Sequence, residues 1–206
     1  MTIGPDINEV LEEIGTAFTI KRDSGDVSGE YLEITPNTQV TKPFIREFFL
    51  EVMIQYDTDV VPGDVIELNT SEERFLLMNS TPAFFENTVT NYDGVMYKCN
   101  VSGELLRPSG EAGWDDDTYK RAEHWNTIKS NCFALLVPPE FGGEIETKEE
   151  IGLLQMEKQA LYIPSSVGVQ VLDRYQPVTG EYYRVEAVKS RRYPAVDLVL
   201  LGEDTR

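Results

Sequence analysis

Apolar and polar positions alternate over most of this chain. From Phe48 to Tyr56, the residues Phe48, Leu50, Val52, Ile54 and Tyr56 interleave with Phe49, Glu51, Met53, Gln55 and Asp57. That period of two predicts a strand with one strongly apolar face. Pro62-Gly63-Asp64 reads as a turn leading into a strand over Val65 to Leu68. Asp93-Gly94 is the sharpest local signal. Its flanks, Thr88 to Tyr92 and Val95 to Val101, read as a hairpin, because a tight turn needs two positive φ angles and Asp-Gly supplies them cheaply. Val95, Tyr97, Cys99 and Val101 would then share an inner face. Further on, Ala160 to Ile163 and the alternating Val167, Val169 and Val171 read as strands. Tyr182 to Val188 and Val196 to Leu201 read as a pair joined by Lys189 to Ala195.

Helical spacing is scarcer. Ile7, Val10, Leu11 and Ile14 recur at 3/4 spacing behind Pro5 and predict a short N-terminal helix. A second short helix is expected after the Pro108 to Gly113 break. Asp115, Asp116 and Asp117 would face the positive end of its dipole, and Tyr119, Ala122 and Trp125 would form its inner side. Cys132 to Val137 is an apolar run stopped by Pro138-Pro139, and Glu140 to Glu150 reads as an exposed acidic loop. The expected fold is mainly β, a β-rich α+β chain. Two small antiparallel β-barrel-like modules carry a short N-terminal helix and a linking helix. The expected divisions are residues 1–110, a linker with its helix over 111–131, and 132–206. Tyr31 to Pro36 and Ala160 to Pro164 look faintly alike, as do Asp57 with Pro62-Gly63-Asp64 and Asp173 with Pro177 and Gly180. Their intervals differ, so duplication and shared turn chemistry are both open.

Charge narrows the function. The 206 residues carry 36 acids against 18 Lys and Arg, a net charge of −18. That argues against a protein built to grip phosphates, which needs clustered cations. The start of the chain lacks a basic segment and an apolar run of signal-peptide length, and no stretch approaches a membrane span. Synthesis in the cytoplasm and no membrane contact are therefore expected. Cys99 and Cys132 are too few for a disulfide scaffold or a structural zinc site, and read as reduced, partly buried thiols.

Candidate chemistry is sparse. Asp115-Asp116-Asp117, with Glu111 and Glu123 near in sequence, offers hard oxygen ligands but no calcium-loop spacing. A solvated acidic segment explains the run as well. His124, the sole histidine, lies beside Glu123 without a nucleophile motif to serve. Phe141-Gly142-Gly143 lacks the Lys and Ser/Thr of a phosphate loop. No catalytic residue, metal or cofactor is expected. Lys189, Arg191 and Arg192 beside Tyr193-Pro194 form the densest basic cluster, anomalous in so acidic a chain. With Tyr193 they are the candidate interface. Arg and Tyr favour interface anchors, although a charged tip also guards strands against edge pairing.

Gly180-Glu181-Tyr182-Tyr183-Arg184-Val185, the basic-Pro tip, and the closing strand Val196 to Leu201 before Asp204-Thr205-Arg206 resemble the small β-barrels of tailed-bacteriophage neck proteins. These are the head-closure (stopper) and head–tail connector proteins. Pro43 to Val101 is similar but matches less well. The resemblance implies a structural virion protein, not an enzyme, made in the bacterial host cytoplasm. It would form a homo-oligomeric ring joining the portal or adaptor to the tail proteins and helping retain DNA. Packaged DNA would pass through the lumen without specific binding. The alternatives are a tail terminator or minor capsid protein, or a metal-dependent hydrolase or carbohydrate-binding β domain.

Overall fold

The computed structural model describes residues 3–35, 48–109, 113–115, 120–122, 124–138 and 158–204. A helix α1 (Ile3–Ile14) precedes β1 (Thr16–Lys21), β2 (Val27–Thr35), β3 (Phe49–Ile54), β4 (Val65–Leu68), β5 (Arg74–Phe85) and β6 (Thr88–Lys98). These six strands close into a barrel in the order β1-β2-β3-β6-β5-β4. There follow β7 (Val101–Pro108), a small hairpin of β8 (Gly113–Asp115) and β9 (Lys120–Ala122), then β10 (Trp125–Val137) and β11 (Gln159–Pro164). A single 3₁₀ turn (Ser165–Val167) leads to β12 (Arg174–Gln176), β13 (Tyr183–Tyr193) and β14 (Val196–Glu203). The second barrel closes in the order β7-β10-β11-β14-β13-β12.

The two orders are one topology. Substituting β7, β10, β11, β12, β13 and β14 for β1 to β6 turns the first into the second. Register carries the equivalence down to residues. Ile20 on β1 faces Ile66 on β4, and Leu105 on β7 faces Tyr175 on β12; all four are buried. Leu77 faces Met96 just before a bulge in β5, and Val185 faces Leu201 just before a bulge in β13. Val52 and Ile54 on β3 match Leu161 and Ile163 on β11 in the two interiors. Each barrel therefore has its own apolar core, as two packed units of about this size require.

Several expectations change. Asp93-Gly94 is not a turn but lies within β6. The turn is Glu86-Asn87, both at positive φ (47° and 63°), with Phe85 facing Thr88. Gly94 is needed for space: a Cβ there would lie 3.1 Å from Leu77 Cδ1 and 3.3 Å from Val52 Cγ2. No helix links the modules at Trp114 or Trp125. Trp114 pairs with Arg121 in the β8–β9 hairpin, and Trp125 opens β10 opposite Pro108. Asp116, Asp117 and the 140–150 acidic segment lie outside the described residues. Since β7 belongs to the second barrel, the change of barrel falls at Cys99-Asn100, before the expected boundary at 110. Val167, Val169 and Val171 are not a strand. The first closes the 3₁₀ turn, and Val167 and Val169 are buried while Val171 is exposed. In α1, Leu11 is buried, but Val10 and Ile14 are exposed. Asn8 pins the helix, donating to Asp57 Oδ1 and accepting from the Tyr56 amide.

Candidate functional site

One turn chemistry appears once in each barrel. Val61-Pro62-Gly63-Asp64 is a four-residue turn closed by the Asp64 amide donating to Val61 O (3.1 Å). Gln170-Val171-Leu172-Asp173 closes in the same way, from Asp173 to Gln170 O (3.1 Å). The third position has positive φ in both, 91° at Gly63 and 76° at Leu172. An arginine clamps each aspartate, Arg22 immediately after β1 and Arg107 within β7. Arg22 donates to both Asp64 oxygens (2.9 and 2.5 Å) and to Asp59 O (2.7 Å). Arg107 donates to both Asp173 oxygens (2.8 Å each) and to Gly168 O (2.8 Å). The carboxylates also accept from the Val61 and Gln170 amides. These bidentate pairs fix the turns that carry β4 and β12 into their barrels. Hydrogen bonding to the aspartates raises the already high pKa of both guanidinium groups.

The barrels meet along an apolar seam. Val65, Leu76 and Met78 from the first pack against Leu135, Tyr162 and Leu198 from the second. A run of rings crosses it: Phe49 to Tyr97 (6.0 Å between centroids), Tyr97 edge-on to Tyr162 (5.4 Å), and Tyr162 to Tyr193 (5.9 Å). Burial pushes the Tyr97 phenol up to about 12 and raises Tyr162 as well. At one end of the seam, the β13–β14 tip sits on the Gly63 turn. A Cβ on Gly63 would lie 2.5 Å from Ala195 O and 2.9 Å from Ala195 Cβ, so only glycine admits the tip.

This placement divides the candidate interface. Tyr193 turns into the seam and is half-buried, whereas Lys189, Arg191 and Arg192 on β13 are exposed. Arg192 also lies over the Tyr193 ring at 5.6 Å. The tip is thus already a docking element within its own chain, held by aromatic and backbone contacts rather than by its cations.

Beside the seam is a cleft of about 990 Å³ lined by Lys21, Arg22, Asp23, Arg74, Lys129 and Phe133 among others. It concentrates cations in an acidic chain, but each is held by a carboxylate. Lys129 reaches across the barrels to Asp23 (2.6 Å), and Lys21 pairs with Asp26 (2.8 Å). Arg74 bonds Glu67 (2.6 Å) and lies 3.9 Å over the Phe133 ring. The arrangement laces one barrel to the other.

No group of three metal-ligating side chains occurs among the described residues. His124 is exposed, and its carbonyl accepts from the Ser109 amide and hydroxyl. Burial lifts the Cys99 thiol to about 12 and Cys132 to about 11, far from the reactive thiolate range. The features that matter here, the clamps and the docked tip, lay beyond sequence patterning, because Arg22 and Asp64 are 42 residues apart and Arg107 and Asp173 are 66. Comparison with protein-family models, curated proteins and solved structures finds no match.

Proposed function

We propose that the protein is a structural component of the neck of a tailed-bacteriophage virion, a ring subunit between portal or adaptor and tail. The observation that carries the reading is the seam. Two acidic barrels are fused by a shared apolar cluster, a docked hairpin tip and the Lys129–Asp23 pair into one block. A block of this kind suits a part that bears load and presents loops and strand edges to neighbours. The net charge of −18 fits a lumen along which DNA slides, since like charge repels phosphates. Lys189, Arg191 and Arg192, exposed on an otherwise acidic surface, are the residues that would contact an acidic neighbour.

Localisation tests the reading. In a virion reconstruction, density for two stacked six-stranded barrels is expected between portal and tail. Particles made without this chain should be DNA-filled heads that leak or lack tails. Recovery of the protein away from the neck, or tailed infectious particles without it, would refute the reading. The Arg191→Glu/Arg192→Glu pair should impair tail attachment while the purified variant melts like wild type.

A further inference from the structure

We propose that the outer edge of β13, from Val188 to Arg192, takes up an acidic, extended segment of a partner protein as an added strand. The proposal deepens the neck reading, on which it rests for the partner's setting. Its test uses purified protein and a peptide, so either can fail without the other.

Two independent observations converge on this edge. The first is the backbone. β14 runs along one side of β13 through Ala187, Val188 and Lys189. On the other side β12 reaches only Tyr183 and Arg184. Val185 still has partners there, donating to Asp173 O (2.8 Å) and accepting from the Leu172 amide (3.0 Å). Beyond it, among the described residues, that side has no strand. Val185 turns both backbone groups away from β14, and the bulge at Glu186 follows. Alternation then turns the amide and carbonyl of Val188 onto the open side.

The second is charge. Every other Lys or Arg side chain that the structure describes lies within 3.6 Å of a carboxylate. Lys189, Arg191 and Arg192 are exposed and have no such neighbour among the described residues. In a chain of 36 acids against 18 Lys and Arg, these unpaired cations stand together on one edge.

The first barrel shows a merely guarded edge. Leu77 and Asn79 flank the bulge in β5 as Val185 and Ala187 flank the bulge in β13. Counting on from there, Pro82 holds the place of Ser190. Pro82 has no N–H to offer on the outward side, which closes that edge to another strand. Ser190 leaves the donor in place. The cations beside it repel a second β13 edge, because like charges would face each other, and they attract carboxylates. The occupant they select is an extended segment with Glu or Asp at alternate positions. Backbone hydrogen bonds hold it and the cations choose it.

Titration of the full-length protein with a capped peptide of about twelve alternating Thr and Glu residues tests this. The salt is about 0.15 M, where distant acids of the chain are screened. Binding with a Kd below about 1 mM is expected, with slowed exchange of the Val188 amide. Ser190→Pro imports the first barrel's guard and keeps all three cations. It should weaken binding about tenfold or more while the melting transition stays unchanged. N-methylation of every peptide amide should do the same, and it decides the matter if Ser190→Pro does not fold. Arg191→Glu with Arg192→Glu should weaken binding as much. No binding at about 1 mM overturns the proposal. So does undiminished binding with both Ser190→Pro and the methylated peptide, which would leave charge alone, or equal binding of the matching Thr-Lys peptide. Self-association of wild type that Ser190→Pro abolishes would give the edge to a second copy and overturn it too.

Discussion

The first barrel fills its interior with Phe18 on β1 and Ile66 on β4, whereas the second puts Gly103 and Tyr175 at the matching positions. A Cβ on Gly103 would lie 2.6 Å from Tyr175 Cζ, so the tyrosine ring occupies the space the phenylalanine fills next door. The Tyr175 hydroxyl then donates to Cys132 O at 3.1 Å, satisfying the polar atom that the exchange brings inside. The two barrels thus conserve volume and topology while the residues change. What they conserve atom for atom is the clamp, an arginine fork on an aspartate that caps a turn. What they do not conserve is the seam side: Val65 and Leu76 are apolar on the first barrel, whereas the matching Arg174 and Arg184 on the second are charged, Arg174 buried against the Trp125 and Tyr182 rings.

The largest expected effect breaks the clamps. Asp173 has a side chain 1% exposed, against 10% for Asp64. Asp173→Ala strands Arg107 and the Gln170 amide and should cost about 3–5 kcal/mol. Asp64→Ala should cost less, about 2–3 kcal/mol, because water reaches that site. Denaturant titration of the two variants orders them; equal losses, or a reversed order, would mean the clamps are not graded by burial.

Gly63→Ala comes next. It places a methyl against the Ala195 backbone at positive φ and should cost about 2–3 kcal/mol. The loss should appear as looser coupling of the barrels. Leu172→Ala, the matching change in the second barrel, trims an exposed side chain and should cost less. Chemical denaturation with a fluorescent probe on each barrel separates the two results.

Gly103→Ala should cost about 2 kcal/mol by pressing on the Tyr175 ring. Adding Tyr175→Ile, which imports the first barrel's smaller partner, should return part of that loss. A double-mutant cycle reads the coupling, and strict additivity would deny that these two positions share one volume.

The smallest effect is on acid stability. Burial pushes the Glu67 carboxyl up, but hydrogen bonds from Arg74 and Lys21 outweigh it and hold its pKa below the ordinary 4.5. A carboxyl whose pKa is lowered by folding adds stability above its unfolded pKa and loses it as pH falls through the folded value. Gln176 takes the matching place in the second barrel and cannot titrate. Glu67→Gln should therefore lower the melting temperature at neutral pH, with the difference vanishing below about pH 4. A difference that persists unchanged in acid would show that the ion pairs are not its source.

Much of the β content was legible, because alternation marks a strand with one wet face wherever it lies. The β3 strand, the Pro62-Gly63-Asp64 turn and the β13–β14 pairing follow from local sequence alone. The repeat was visible only as a faint echo and was paired wrongly. Tyr31 to Thr35 lies on β2, whose counterpart is β10, not the β11 strand that holds Ala160 to Pro164. The second clamped turn hid because Val171-Leu172 carries no turn residue. Leu172 holds φ at 76° only because hydrogen bonds and the Arg107 clamp fix its neighbours. Asp93-Gly94 misled for the opposite reason, since its glycine serves close packing in the barrel wall rather than a reversal. The basic tip was located correctly in sequence, but only the structure divides Tyr193, turned into the seam, from the exposed cations.

The account stands on one asymmetry: two equivalent hairpin tips, one docked on the Gly63 turn and one, at Phe84 and Phe85, exposed. Amide hydrogen exchange at the two tips measures it directly. In dilute protein, peptides covering Tyr193 to Val196 should be protected by the Gly63 turn, while those covering Phe84 to Thr88 exchange fast. Equal exchange at the two tips would contradict the account.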